Sequence, residues 1–187
     1  AYIESDVLIT ARGMRRYYDD GLVKMTIGSD CMCWYKDNVG GLFEKWFPRF
    51  STVIDAQLRQ AYRGGYTYVN PDLAGVDVYG GISVDYNSMY PSMMLSKPFP
   101  YGSPRYFRGE YQRDDDMPLY VQFMTCTFHV KHDGFPMIQV KSNPFFGAHE
   151  YVRDCSEPVE MALSSVDLAL FLDNYDVEVL SYDGGYK

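Results

Sequence analysis

The chain has 187 residues, 47% hydrophobic and 22% charged, with a formal net charge of −8. That length allows one large domain or two small ones, with burial of roughly 70% of the unfolded surface. It holds no run near the roughly 18 apolar residues of a membrane span, reads as carrying no signal peptide, and is too acidic for a simple nucleic-acid clamp, whose phosphate contacts need Lys and Arg. The cations do cluster, at Arg59 and Arg63 and again at Lys97, Arg105, Arg108 and Arg113, so a basic groove within an acidic whole stays open. The aromatic share of 17% suggests β-rich structure or a surface that stacks on something flat. Cys31, Cys33, Cys126 and Cys155 form no CxxC pair and lack zinc spacing with the histidines; free thiols and an intracellular setting are expected.

In chain order, apolar Ile3, Val7 and Met14 predict a helix over residues 2–20, stopped at Gly21. An opening inside such a helix is expected of a fragment. Ser29 is the expected cap of a second helix, ended by Gly40-Gly41, and "FEKWFPRF" is an aromatic packing element closed by Pro48. From Ser51 an approach segment leads to a Gly64-Gly65 turn, a short strand from Tyr66 to Val69, the strand "GISVDY", and a helix from near Asn87-Ser88 with Pro91 in its first turn. Residues 97–116 read as loop with one short strand, and Asp114 to Asp116 as a solvated turn without metal. Beyond them, Gln122, Met124 and Cys126 alternate with Val121, Phe123 and Thr125, and His132-Asp133-Gly134 reverses the chain into a β-hairpin. "EYVRDC" and "PVEMAL" are further strands, Ser164 or Ser165 caps a helix, and "VEVLSYDGGYK" is a last strand. The fold class is α+β.

The chemistry centres on "DYNSMYPS", residues 85–92. A carboxylate at a strand end, Asp85, can hold a divalent cation. The amides of the following turn suit polyphosphate oxygens, and the Tyr90 ring can lie flat under a sugar. Read blandly, the same residues are a strand end with a capping carboxylate and a core tyrosine.

This stretch resembles motif A of family B DNA polymerases, with Met89 where Leu is usual. The resemblance implies that Asp85 is one of two metal-binding aspartates and catalytic. It makes Tyr90 the gate that rejects a ribose 2′-hydroxyl, and Tyr86, Asn87, Ser88, Met89 and Tyr90 the nucleotide seat. Upstream, "YRGG" resembles the YxGG motif of protein-primed members, which touches the template. Tyr62, Arg63, Gly64 and Gly65 are then DNA-binding, through close backbone approach, phosphate contact and stacking. At the start, "YIESD" is similar to the third exonuclease motif, with Asp6 as metal ligand and Tyr2 orienting the attacking water. "KSNPFFGAHEY" and the strand–helix–strand after it resemble the terminal-protein region inserted in the palm.

The resemblance implies three parts: residues 1–26 as the last helix of an exonuclease region, 27–96 as the start of the palm, and 97–187 as the insertion. The palm contributes a palm-like antiparallel sheet with helices, and the insertion is a smaller β-rich subdomain. Mg²⁺ is the implied cofactor, in a two-metal site with its cations about 4 Å apart, whose second carboxylate lies in an Asp-Thr-Asp pattern absent here. The implied partners are primer-template DNA, a deoxynucleoside triphosphate and a terminal protein primer, with no membrane, in the cytoplasm of a bacterial host. The expected function is a segment of a DNA-directed DNA polymerase, inactive by itself and carrying an exonuclease remnant. The alternatives are a stand-alone module binding DNA or a protein primer, and an interaction protein with no nucleic-acid role.

Overall fold

A computed structural model of the chain describes residues 2–141, 146–147 and 150–187, without the Tyr2 side chain. The Asn143-Pro144-Phe145 part of the "KSNPFFGAHEY" segment lies outside the described residues, as does the Tyr2 ring. The chain divides between Arg49 and Phe50 into two compact units.

The first unit is helical: α1 (Tyr2–Asp19), α2 (Ile27–Val39) and α3 (Leu42–Trp46). The cap of α2 is Thr26, not Ser29. The Thr26 side chain accepts the Ser29 N–H at 3.2 Å, so the helix starts two residues before the expected serine. The "FEKWFPRF" element folds as α3, with Tyr35, Phe43 and Phe47 in mutual contact, Phe43 and Phe47 at 5.2 Å between centroids. Both tryptophans, Trp34 and Trp46, belong to this unit, and none of its described side chains is buried.

The second unit opens with α4 (Thr52–Gln60), capped by Ser51, whose hydroxyl accepts the Ile54 N–H. The approach segment is therefore a helix, set by a Ser cap and an Asp55–Arg59 pair one turn apart. Residues 66–69 and 81–86 take no regular structure and pair with no strand, against the expectation of two strands. Ile82 is 88% exposed and Val84 87%, so their β-branched side chains suit a sheet for which the described residues supply no neighbouring strand. A 3₁₀ turn at Pro71–Leu73 lies between the two irregular segments, and α5 (Met89–Ser96) follows, with Pro91 in its first turn as expected.

All paired strands lie further on: β1 (Tyr106–Phe107), β2 (Val121–Val130), β3 (Asp154–Ser164) and β4 (Tyr175–Tyr186) form one antiparallel sheet in the order β1-β4-β2-β3. The α+β class with an antiparallel sheet is what the chain has, but the described residues of 27–96 contribute no strand to it. The expected hairpin after β2 does not form. The chain turns at Lys131–Gly134, but residues 135–140 keep only the bridge Ile138–Val152, and β2 pairs with β3 and β4 instead. "EYVRDC" and "PVEMAL" merge into the single strand β3, irregular between its pairings with Cys126 and Phe128. The helix capped by Ser164, α6 (Ser165–Asn174), links β3 to β4.

The alternation of β2 does as the sequence indicates. Gln122, Met124, Cys126 and Phe128 point inward, where Met124, Cys126 and Phe128 pack with Val159, Met161, Leu168 and Phe171 in one core. Each such side chain contributes about 1.5–3 kcal/mol by leaving water. Tyr175 closes the core: its hydroxyl donates to the Val152 carbonyl and accepts the Met137 N–H, both at 2.8 Å. At the far end Gly184 (φ 92°) and Gly185 let β4 pass between its neighbours. A Cβ at Gly185 would run into the Val121 carbonyl.

Candidate nucleotide and nucleic-acid site

α4 ends at buried Ala61 and releases the tract Tyr62-Arg63-Gly64-Gly65. Tyr62 is exposed, and the Lys141 Nζ lies 5.6 Å from its ring centroid. Arg63 is half-buried. Its guanidinium donates to the Ala61 carbonyl and, across the unit, to the Ala162 carbonyl, both at 3.3 Å. Its Nε is buried without a partner among the described residues. Burial lowers the Arg63 pKa, with Asp167 opposing; burial and then the Arg63 charge lower that of Lys141. Two cations that disfavour each other at the mouth of a cavity of about 420 Å³, lined also by Gln60, Gln139 and Glu160, make a place where an anion relieves both. Lys141, which opens "KSNPFFGAHEY", was not linked to Arg63 in the sequence, because nothing in its spacing ties the two.

Asp85 lies near the end of the irregular segment 81–86. It is exposed, and no hydrogen bond or ion pair engages its carboxylate among the described residues. The chain then turns through Ser88 in the left-handed region (φ 49°), which starts α5 without a side-chain cap. The amides of Tyr86 to Tyr90 donate no backbone bond among the described residues, so the first turn is open to phosphate oxygens. Tyr90 stands on that turn, 70% exposed. Gly65 meets it: a Cβ built on Gly65 would lie 3.3 Å from the Tyr90 hydroxyl. The structure thus brings together the YRGG tract and the Tyr90 ring.

Asp6 is exposed on α1, where Thr10 donates to its main-chain carbonyl rather than to its carboxylate. Asp6 and Asp85 belong to different units. No group of three or more His, Cys, Asp or Glu among the described residues could hold a metal. Asp85 fits half of a magnesium site: one carboxylate beside amides that would seat phosphate, where Mg²⁺ takes one or two carboxylates, waters and phosphate oxygens. In the acidic run Asp114 is engaged by Lys187 at 2.6 Å, which lowers its carboxyl pKa.

Over residues 1–187 the chain matches the family described as DNA polymerase type B, organellar and viral, and it belongs to that family. Within it, the chain is 40% identical to the DNA polymerase of Bacillus phage B103, 38% to that of Bacillus phage phi29, and 27% to that of Streptococcus phage Cp-1. It spans about a third of the length of the curated relatives it matches: all of this chain against 33% of the B103 and phi29 proteins, and 96% of this chain against 34% of the Cp-1 protein. The fold is similar to phi29 DNA polymerase complexed with primer-template DNA and incoming nucleotide substrates, at a TM-score of 0.86 and 38% identity over 100% of this chain and 33% of that one. The post-translocation binary complex of the same enzyme matches at a TM-score of 0.82 and 34% identity, over 100% of this chain and 32% of that one.

Proposed function

We propose that the chain is the part of a protein-primed, DNA-directed DNA polymerase that supplies one catalytic carboxylate, the nucleotide seat and template contacts. The observation that carries this is the exposed, unengaged Asp85 beside the open first turn of α5, in a fold matching a polymerase complexed with DNA and nucleotides. Asp85 is one metal ligand. Asp85 would hold Mg²⁺ together with a second carboxylate of the full-length enzyme, and the ion would supply charge neutralisation for the triphosphate and a more acidic primer hydroxyl. The amides of Tyr86 to Tyr90 hold the triphosphate, and the Tyr90 ring lies against the deoxyribose and leaves no room for a 2′-hydroxyl. Tyr62 and Arg63, with Lys141, hold template phosphate and sugar; Gly64 and Gly65 let the backbone come close. Asp6 holds a metal of the proofreading site, with Tyr2 orienting its water, and the reaction takes place in the cytoplasm of a bacterial host. Residues 1–26 close the exonuclease region, 27–96 open the palm, and 97–187 dock the terminal protein whose side chain offers the first primer hydroxyl.

The test uses the full-length polymerase that carries this segment. Asp85→Asn lowers nucleotide incorporation on a primed template by about 10³-fold or more, with primer-template affinity retained. Incorporation at the parent rate would overturn the reading. The 187 residues alone extend no primer, since a second carboxylate is needed.

A second reading has its own support: among the described residues the buried core cluster lies wholly within residues 97–187, as befits a binding module. Capture of terminal protein by residues 97–187, against capture of bare primer-template, tells whether this part docks a protein primer or DNA.

A further inference from the structure

Gly65 does not owe its identity to backbone conformation. It is absent from the positive-φ positions, and the neighbouring Gly64 has nothing within 4 Å of where a Cβ would stand. At Gly65 the missing side chain is instead a matter of space, because the Tyr90 hydroxyl fills the room a methyl would need, 3.3 Å from the Cβ position.

The backbone at Gly65 is also hard to move. On one side Arg63 is tied to the carbonyls of Gln60, Ala61 and Ala162. On the other, the Thr67 N–H donates to the Tyr151 hydroxyl at 3.1 Å, the Thr67 hydroxyl donates to the Gly65 carbonyl at 3.3 Å, and the Tyr66 hydroxyl donates to the Pro136 carbonyl at 3.1 Å. The Tyr66 and Tyr151 rings lie 4.8 Å apart between centroids. By contrast, the Tyr90 hydroxyl has no hydrogen-bond partner among the described residues, and its ring is mostly exposed. Of the two, the ring is the part that yields.

We infer that Gly65 is a positioning residue for Tyr90: the bare backbone is a stop that sets how far the ring reaches over the nucleotide sugar, and so sets discrimination between deoxyribo- and ribonucleotides. The inference rests on the reading of Tyr90 as the group facing the sugar. A side chain at Gly65 displaces the ring by a few tenths of an ångström, and a misplacement of about 1 Å can cost about 10²-fold in rate, so about a three- to tenfold change is expected here.

The experiment measures single-nucleotide extension of a primed template by the full-length polymerase, as the ratio of kcat/KM for a deoxynucleotide to that for its ribonucleotide. Gly65→Ala changes this ratio by about threefold or more, and Gly65→Val by more. Gly64→Ala alters use of both nucleotides together and leaves the ratio alone. Tyr90→Phe, which removes the atom that the new methyl would meet, returns Gly65→Ala to near the parent ratio, an effect that general misfolding or weaker DNA binding would not produce. An unchanged ratio in Gly65→Ala, or no rescue by Tyr90→Phe, overturns the inference while leaving Tyr90 as the gate. A parent-like ratio in Tyr90→Val overturns the gate itself, and the inference with it.

Discussion

Gln122 is a polar residue buried completely in the sheet, and all its bonding groups are used. Its Oε1 accepts the Tyr111 N–H at 2.9 Å, and its Nε2 donates to the carbonyls of Gly109 and Gly184 at 3.1 and 2.9 Å. Gln122→Leu strands these groups and destabilises the chain by about 2–4 kcal/mol, read as a lowered urea midpoint with unchanged m-value. Cys126 is pushed up from 9.0 to about 12 by burial and then by Cys155. In the unfolded chain the thiol ionises above its ordinary value while the folded one keeps its proton. Its contribution to stability is therefore full below about pH 9 and is lost as pH rises toward 12, a slope that Cys126→Ala reduces in denaturation at stepped pH. A thiol reagent at neutral pH labels exposed Cys31 first and Cys126 only on unfolding. On the proposed template role of Arg63 and Lys141, replacement of either by Ala is expected to weaken primer-template binding by the full-length polymerase and to lower the salt slope by about 1. At this scale the sequence singles out Asp85 and Tyr90 as candidates, because motif residues are local. It is silent on the pairing of Lys141 with Arg63 and on the half-buried state of Arg63, because both depend on a cavity wall contributed by β3.

Among the elements, those whose information is periodic and local were legible: α1, α6 with its Ser164 cap, and the inward face of β2. Partner choice was not. The turn chemistry at His132 to Gly134 implied a hairpin, yet β2 takes β3 and β4, because the core offered by Val159, Met161 and α6 outweighs a local return. The approach segment concealed α4 behind mixed polarity, with only a Ser cap and an ion pair to mark it. The β-branched run before Asp85 read as a buried strand, but alternation tells what a side chain suits, not whether a neighbour is present. In hydrogen exchange the amides of residues 81–86 in this chain therefore exchange within the fastest class, while those of β2, paired on both sides, are the slowest. Protection of 81–86 equal to that of β2 would mean that the segment finds a partner.

At the scale of the whole molecule, the composition foresaw an α+β chain able to bury a core, and motif order foresaw the polymerase family. It did not foresee that the buried side chains would gather almost wholly beyond residue 120 while none of the described ones lies before Ala61. Residues 97–187 expressed alone should unfold cooperatively, at a lower urea midpoint than residues 50–187, which add the α4 packing and the Tyr186–Gln57 bond of 2.6 Å. A broad, non-cooperative loss of signal would show that α4 is essential to that fold. Both indoles sit before Arg49, while every paired strand among the described residues lies after it, so tryptophan emission labels the first unit alone. Red-edge emission follows the helical unit alone, whereas far-ultraviolet dichroism reports helices of both units together with the sheet, so a transition seen in the dichroism and not in the emission belongs to residues 50–187.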